Sequence, residues 1–175
     1  MISEKAGLFM TELTFRFAVK DDVPAILYFI RQLAEYERMS NEVVATEELL
    51  NEWIFEKRKA EVLFAVADGK EIGFALFFHN FSTFLGRAGI YLEDLFVLPE
   101  YRGKGYGKAI LSELARITVE RGCGRLEWCC LDWNQPSIDF YLSLNAVPLS
   151  DWTTYRLTGD SLREMAEYRN EKMSG

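Results

Sequence analysis

Three glycines alternate with other residues in a short segment whose composition suits anion binding. They are Gly103, Gly105 and Gly107, and they lie between an apolar strand predicted over residues 90–98 and an amphipathic helix predicted over residues 105–120. Glycine lets the backbone approach a ligand closely, and the first amides of a helix lack partners within it and lie at its positive dipole end. The segment predicts a pyrophosphate site, although strand-to-helix turns of this composition also occur without a ligand.

The two commonest glycine-rich phosphate motifs do not match this segment. A dinucleotide fingerprint counted from Gly103 requires a small residue where Lys108 stands. A P-loop requires Ser or Thr where Ala109 stands. Neither NAD nor ATP is therefore favoured as the ligand.

A second polar segment follows the next strand, which is predicted over residues 125–131. Asn134 is a favourable N-cap for a helix over residues 134–144, and Asn134, Ser137 and Tyr141 are spaced to share one helix face. A polar stripe ending in a phenol is predicted. A capped helix with a half-buried tyrosine has the same pattern, so the stripe alone assigns no function.

Taken together, the two segments resemble the signatures of the GNAT N-acetyltransferases. Residues 102–107 match the Arg/Gln-x-x-Gly-x-Gly loop of that family, and residues 133–141 resemble its second signature. Residues 33–37, 91–97 and 101–103 are similar to the spermidine/spermine (diamine) acetyltransferases and to the thialysine acetyltransferases. The resemblance spans residues 15–166 and implies an α/β (α+β) GNAT fold, in which helices flank a mixed, mostly antiparallel sheet.

This resemblance also implies a cofactor and a set of binding residues. The cofactor is acetyl-CoA, and the residues implied to bind it are Phe96, Val97, Leu98, Arg102, Gly103, Lys104, Gly105, Tyr106, Gly107, Lys108, Asn134, Ser137 and Tyr141. The residues implied to bind the amine are Tyr36, Glu37, Glu93 and Asp94. For Glu37, a solvated charge at a helix end is an equally good interpretation. No metal site is predicted, since the cysteines show no metal-ligand spacing.

Acetyl transfer to a primary amine requires a base. An alkylammonium with a pKa of about 10.4 is the free amine only about once in 2,500 molecules at pH 7. The only histidine, His79, lies in a predicted loop over residues 79–87, so a carboxylate acting directly or through water is the better candidate. The resemblance assigns this role to Glu93, for which a surface ion pair is the alternative.

Strand alternation predicts the surroundings of that carboxylate. Over residues 90–98 it places Asp94 on one face and the following residues on the other: Tyr91, Glu93, Leu95 and Val97. Asp94 then either anchors the substrate amine, as the resemblance implies, or accepts hydrogen bonds from a neighbouring helix.

The leaving thiolate needs a proton, and the resemblance assigns the general acid to Tyr141. An unperturbed phenol, with a pKa near 10, is a weaker acid than a thiol near 8.5, so its contribution is expected at the lower end of the usual range of about 100- to 10,000-fold. A backbone amide at the strand end, within residues 96–98, is a candidate to polarise the thioester carbonyl.

The sequence predicts an N-acetyltransferase acting on a small cationic amine by direct attack in a ternary complex. The acceptor is a diamine, a polyamine or a thialysine-like amino acid. Residues 82–84 read Ser-Thr-Phe where animal polyamine enzymes have Asp-Pro-Trp, which weakens the polyamine interpretation. The alternatives are a protein N-terminus, a protein lysine or an aminoglycoside as acceptor, or a catalytically silent CoA-binding regulatory module.

Composition indicates the domain organisation and the partners. The 175 residues, 49% of them apolar, suit a single domain over residues 1–175, with residues 1–12 as a flexible extension. A net charge of -7 disfavours nucleic acid and anionic membranes and is compatible with a cationic substrate. Because the sequence shows neither an export signal nor a membrane-length apolar run, a cytoplasmic protein is expected. The resemblance implies a homodimer.

Local patterns predict the remaining elements. Strands are predicted over residues 13–18, 61–67, 72–78 and 153–158, with a hairpin turn at Asp68-Gly69. Helices are predicted over residues 23–36, capped by Asp22, over residues 46–55, and over a C-terminal segment to about residue 171 that opens on a capping box of Ser161 and Glu164.

Overall fold

The computed structural model describes residues 12–172, and it describes side chains through residue 168. The predicted N-terminal extension lies outside the described residues except for Glu12. The chain divides into two compact units, with the boundary between Cys129 and Cys130. The single domain expected over residues 1–175 stays a prediction.

The N-terminal unit contains a five-stranded sheet in the order β1-β2-β3-β4-β5. Its strands are Leu13–Phe17, Glu61–Ala67, Lys70–Ser82, Arg87–Val97 and Leu126–Trp128. The first four pair antiparallel, and β5 pairs parallel to β4. The predicted mixed, mostly antiparallel sheet is therefore confirmed.

The hairpin between β2 and β3 turns at Asp68 and Gly69, as predicted. Both residues have positive φ angles, 51° and 71°, which suit a tight two-residue hairpin turn. The loop predicted to begin at His79 is wrong, because β3 continues to Ser82 and His79 pairs with Ile90 of β4. The continued pairing with β4 outweighs the polar composition of this segment.

Helix α1, Val23–Tyr36, supplies one side of the core. Its apolar positions recur at helical spacing, and Pro24 is tolerated in the first turn. Ile26 and Phe29 of this helix belong to a buried cluster that also contains residues from three strands and from the segment over residues 51–56. These other members are Ile54, Val62, Phe64, Phe74 and Phe96. Asp22 is the N-cap residue of α1, as predicted, but its side chain forms no capping hydrogen bond, because its carboxylate accepts from the Val19 amide at 2.7 Å and pairs with Arg16.

Two further helices belong to the N-terminal unit. Helix α2, Glu47–Leu50, is capped by Thr46 and continues as a π-helical segment, Asn51–Glu56. Helix α3, Tyr106–Glu120, starts directly after Gly105 and buries its own apolar stripe, including Ile110 and Leu114.

The C-terminal unit contains helices α4, Gln135–Ser143, and α5, Gly159–Lys172. Asn145 takes the left-handed conformation just after α4, at φ 60°. The predicted strand over residues 153–158 is wrong, because this segment joins no sheet within the described chain and an isolated extended segment leaves its backbone unpaired. Helix α5 starts before the predicted capping box at Ser161, and the Leu162 amide reaches back to the Thr158 carbonyl at 3.4 Å.

Within residues 12–172, no helix combines the length and the apolar character needed to cross a bilayer.

Candidate active site

A β-bulge shapes the downstream half of β4. Leu92 pairs with Phe77, and Asp94 pairs with Leu76, so Glu93 is an extra residue without a partner on β3. A bulge of this kind bends a strand and redirects its side chains, and it is frequent beside active sites. Glu93 is exposed at the bulge.

The bulge corrects the predicted faces of β4. Residues directly opposite in a sheet share a side, so Asp94 lies on the side of Leu76 and Phe96 lies on the side of Phe74. Tyr91, opposite Phe78, shares this side with them. The predicted separation of Asp94 from Tyr91 is therefore wrong, because one extra residue reverses the alternation downstream of it.

The downstream half of β4 leaves one backbone edge open. Strand β5 pairs with β4 only as far as Leu92, and no strand pairs with that side of residues 93–97 in the described chain. The Leu98 amide donates to Ile72 of β3 at 2.9 Å, so the register also directs the Phe96 peptide groups towards β3. The peptide groups of Val97 therefore point to the open edge. Of the amides at residues 96–98, the Val97 amide is the one available to a ligand there.

The glycine segment forms a turn that only glycine adopts without strain. Gly103 and Gly105 have φ angles of 74° and 84°, and Gly105 is the N-cap of α3. A Cβ atom built on either glycine meets no heavy atom within 4 Å. The space above both is therefore open to a ligand, beside the unpartnered amides at the start of a 15-residue helix.

One lysine, Lys104, lies between these two glycines, and a second, Lys108, follows them in α3. The Lys104 Nζ donates to the Glu100 carbonyl at 3.2 Å and lies 5.3 Å from the centroid of the Tyr101 ring. Lys108 is exposed on the first turn of α3. Both raise the local positive charge where the helix dipole is also positive.

The Arg102 side chain turns back from the glycine segment onto β4 and α1. Its Nε donates to the Val97 carbonyl at 2.8 Å. Its guanidinium carbon lies 4.7 Å from the Tyr36 ring centroid and 4.8 Å from that of Phe96. The first residue of the glycine segment thus contacts the last residue of α1, a contact that no local sequence pattern indicates.

Three carboxyl groups come together at the bulge. Burial is the main cause that raises the pKa of Asp94 to about 7, and the nearby carboxylates of Glu93 and Glu37 contribute to the same rise. Partial burial also raises the pKa of Glu37, which follows Tyr36 at the end of α1. No cation pairs with Asp94 in the described part of the chain. The structure therefore brings together three of the four residues implied to bind the amine, and the fourth, Tyr36, directly precedes Glu37 at the end of α1.

A hydrogen bond across β4 and β5 lies beside this acidic group. The Tyr91 hydroxyl donates to Sγ of Cys129 at 2.9 Å. This bond, together with desolvation and the nearby thiol and carboxylates, raises the pKa of the Tyr91 phenol. Tyr91 therefore stays protonated at neutral pH and acts as a donor.

Three predicted site residues belong to the C-terminal unit: Asn134, Ser137 and Tyr141. Asn134 is buried, and its side chain accepts from the Ser137 amide at 3.4 Å, which gives the predicted N-cap of α4. Tyr141 lies on the same helix and is half-buried. Ser137 and Tyr141 are one helical turn apart, so the predicted polar stripe is present.

Comparisons with known proteins identify the family of this chain. A model of the acetyltransferase (GNAT) family matches residues 27–145. The thialysine N-epsilon-acetyltransferase of Bos taurus is 37% identical over 169 residues, which cover 90% of this chain and 99% of that protein. The L-ornithine N5-acetyltransferase of Arabidopsis thaliana is 32% identical and covers 85% of each chain. A solved structure of an integron cassette protein from V. cholerae matches with a TM-score of 0.74 at 27% identity, covering 89% of this chain and 98% of that one.

The chain belongs to the GNAT family of acetyltransferases. It is an N-acetyltransferase, and its family uses acetyl-CoA as the acetyl donor. The open space over Gly103 and Gly105 and the open edge of β4 suit that donor, because they offer backbone amides without side-chain obstruction.

Proposed function

We propose that the protein transfers an acetyl group from acetyl-CoA to a primary amine of a small cationic substrate by direct attack in a ternary complex. The acceptor class is a diamine, a polyamine or a diamino acid such as thialysine. The observation that carries this proposal is Asp94, a largely buried carboxyl group beside two further carboxyl groups, with no cation paired to it in the described chain.

A bound substrate ammonium supplies the positively charged partner for the Asp94 carboxylate. A cation within about 4–6 Å favours an ionised carboxylate, so substrate binding lowers the pKa of Asp94 and releases its proton. A second amine on the substrate can then be held by Asp94 and Glu37 while the first reacts. The relatives named for thialysine and ornithine acetylation fit this interpretation, since both of those amino acids carry two amines.

The donor end of the site is proposed to consist mainly of backbone. The side chains of Phe96 and Val97 are buried, and only the Val97 peptide groups point to the open edge, so the backbone contribution from this strand end comes from Val97. The amides after Gly103 and Gly105 would hold the pyrophosphate, with Lys104 and Lys108 adding positive charge. Bound acetyl-CoA supplies the thioester carbon that the amine attacks.

Two side chains are proposed to move protons. Glu93 accepts the proton of the ammonium, directly or through water, because the bulge leaves its carboxylate exposed beside Asp94. Tyr141 is the proposed donor to the leaving thiolate, an assignment carried by the resemblance.

We expect Glu93→Gln to reduce turnover most at neutral pH and to recover partly as pH rises. An amide cannot accept the proton, but the fraction of free amine grows about tenfold for each pH unit below the amine pKa of about 10.4. Steady-state rates from pH 7 to pH 10 give the profile, and Glu100→Gln, an exposed carboxylate near the glycine segment, is the matched control. A uniform loss across the range would contradict a role in proton transfer.

The acceptor class is tested by comparing putrescine with n-butylamine, which have the same chain length. We expect kcat/KM to be about tenfold or more higher for the diamine at low salt, which corresponds to about 1.4 kcal/mol for the second ammonium. The advantage is expected to shrink as salt is raised, because the Debye length falls to about 8 Å near 0.15 M. A CoA-release assay measures both amines.

Other outcomes of this comparison favour the other functions. Equal efficiency on both amines would reject the cationic acceptor and favour a protein or aminoglycoside acceptor. CoA binding without turnover on any amine would favour the regulatory module. The homodimer and the cytoplasmic location stay predictions.

A further inference from the structure

Arg102 links the two halves of the proposed site through its side chain. Its backbone lies directly before Gly103, and its guanidinium lies beside the ring of Tyr36. The next residue in the chain after Tyr36 is Glu37, one of the three carboxyl groups at the bulge. The rings of Tyr36 and Phe96 are themselves 6.4 Å apart in an edge-on arrangement. One cation is therefore held by two aromatic rings and a carbonyl, from α1 and the end of β4.

This arrangement differs from an ordinary surface arginine. Arg102 forms no ion pair within the described residues, so no carboxylate sets its position. Its position is instead set by cation–π contacts and one hydrogen bond, which depend on the planar shape of the guanidinium. Lysine, a compact charge on a flexible stem, cannot reproduce both contacts.

We infer that Arg102 couples acetyl-CoA binding to amine binding, as a positioning residue between the glycine segment and the end of α1. The inference rests on the proposed function of the same site. A pyrophosphate bound by the amides after Gly103 fixes the backbone of Arg102. The side chain then holds the Tyr36 ring and the Val97 carbonyl in place, and with them Glu37 and the open edge of β4.

Coupling of this kind is a measurable ratio of dissociation constants. If CoA orders the amine site through Arg102, the amine binds more tightly to the CoA complex than to the free protein. The reverse must hold by the same factor, so CoA binds more tightly in the presence of the amine. The two ratios check each other.

The experiment measures the Kd of putrescine and of thialysine by calorimetry, without CoA and with saturating CoA. CoA replaces acetyl-CoA so that no turnover occurs. For the wild type, we expect the amine Kd to fall about fivefold or more when CoA is bound. In Arg102→Met and Arg102→Lys, we expect this ratio to fall close to one, even at CoA concentrations that saturate each variant.

Three further variants test the contact between Arg102 and Tyr36, two at Tyr36 and one at a neighbouring lysine. Tyr36→Leu removes the ring without touching the glycine segment and is expected to lose the coupling. Tyr36→Phe keeps the ring and is expected to keep the coupling. Lys104→Met removes a neighbouring cation that contacts Tyr101 and not Tyr36, so it is expected to weaken CoA binding at most and to leave the ratio unchanged.

The results separate this inference from the proposed function. If neither amine binds with or without CoA, the proposed function is rejected and the inference with it. If amines bind but the wild type shows a ratio near one, or if the Arg102 variants keep the wild-type ratio, the inference alone is rejected. Should the Arg102 variants fail to fold, retention of the ratio in Tyr36→Leu would equally overturn it.

Discussion

Gly105→Val is expected to weaken acetyl-CoA binding by about 100-fold or more. The space above Gly105 is open in the protein, so an added side chain meets no protein atom and instead fills the place proposed for the pyrophosphate. Losing two charge-assisted hydrogen bonds there removes about 3–6 kcal/mol, and each 1.4 kcal/mol is a factor of ten in Kd. Calorimetric titration with CoA measures the effect.

The control for Gly105→Val is Gly122→Val. Gly122 also has a positive φ angle, 67°, and a Cβ built on it also meets no heavy atom within 4 Å. Both valines therefore carry a similar strain of about 1–2 kcal/mol in the left-handed conformation. Gly122 follows the C-terminal end of α3, at the opposite end from the glycine segment. Gly122→Val is therefore expected to lower the stability of the protein and to leave its CoA affinity unchanged. Equal CoA affinity in the two folded variants would reject the glycine segment as the pyrophosphate site.

Replacing Asp94 by asparagine is expected to stabilise the protein at pH 8 and to damage amine binding. Folding raises the pKa of this carboxyl group from 3.8 to about 7. The folded state therefore holds the proton that the unfolded state has released, and stability falls as pH rises from about 4 to about 7. Asparagine avoids this loss, which is on the order of 2–4 kcal/mol above pH 7. Thermal unfolding should show a higher Tm for the variant at pH 8 and a vanishing difference near pH 4.

The matched variant for stability is Asp22→Asn, for which the opposite sign is expected. The hydrogen bonds from Arg16 hold the pKa of Asp22 below its ordinary value. Asp22 therefore contributes stability above the unfolded pKa, and this is lost as pH falls through the folded pKa. Asp22→Asn should lower the Tm at pH 8, whereas Asp94→Asn raises it. An unchanged or lower Tm for Asp94→Asn at pH 8 would contradict the burial of an unpaired charge.

The substrate side of the Asp94→Asn prediction is measured on the same protein. We expect KM for putrescine to rise about tenfold or more, because the ammonium loses a largely desolvated carboxylate, and KM for n-butylamine to change less. A variant that is more stable and less active is typical of sites whose charges are arranged for a ligand rather than for the fold.

Local signals in the sequence were sufficient for the glycine segment and its helix. The start of α3 directly after Gly105 follows from glycine spacing and apolar periodicity, which involve neighbouring residues only. The hairpin at Asp68 and Gly69 and the cap at Asn134 belong to the same category. Family membership also followed from short motifs of this kind.

The main features missed from the sequence depend on contacts between distant residues. The bulge at Glu93 exists only in relation to β3, and the contact of Arg102 with Tyr36 joins residues far apart in the chain. The pKa of Asp94 depends on its burial and on Glu37 at the end of α1. The segment over residues 153–158 alternates like a strand, but alternation cannot supply a partner.

The extra residue at Glu93 makes the proposed amine site sensitive to the length of β4 as well as to its composition. Removing either residue between Leu92 and Leu95 would restore regular alternation. The acidic side chain that remained would then lie on a different side of the strand relative to its neighbours, whatever its residue type. Substitution scans keep chain length constant and cannot detect this dependence. Changes in acceptor preference among chains of this fold can therefore arise from a one-residue insertion or deletion in this strand, with every individual side chain of the site retained.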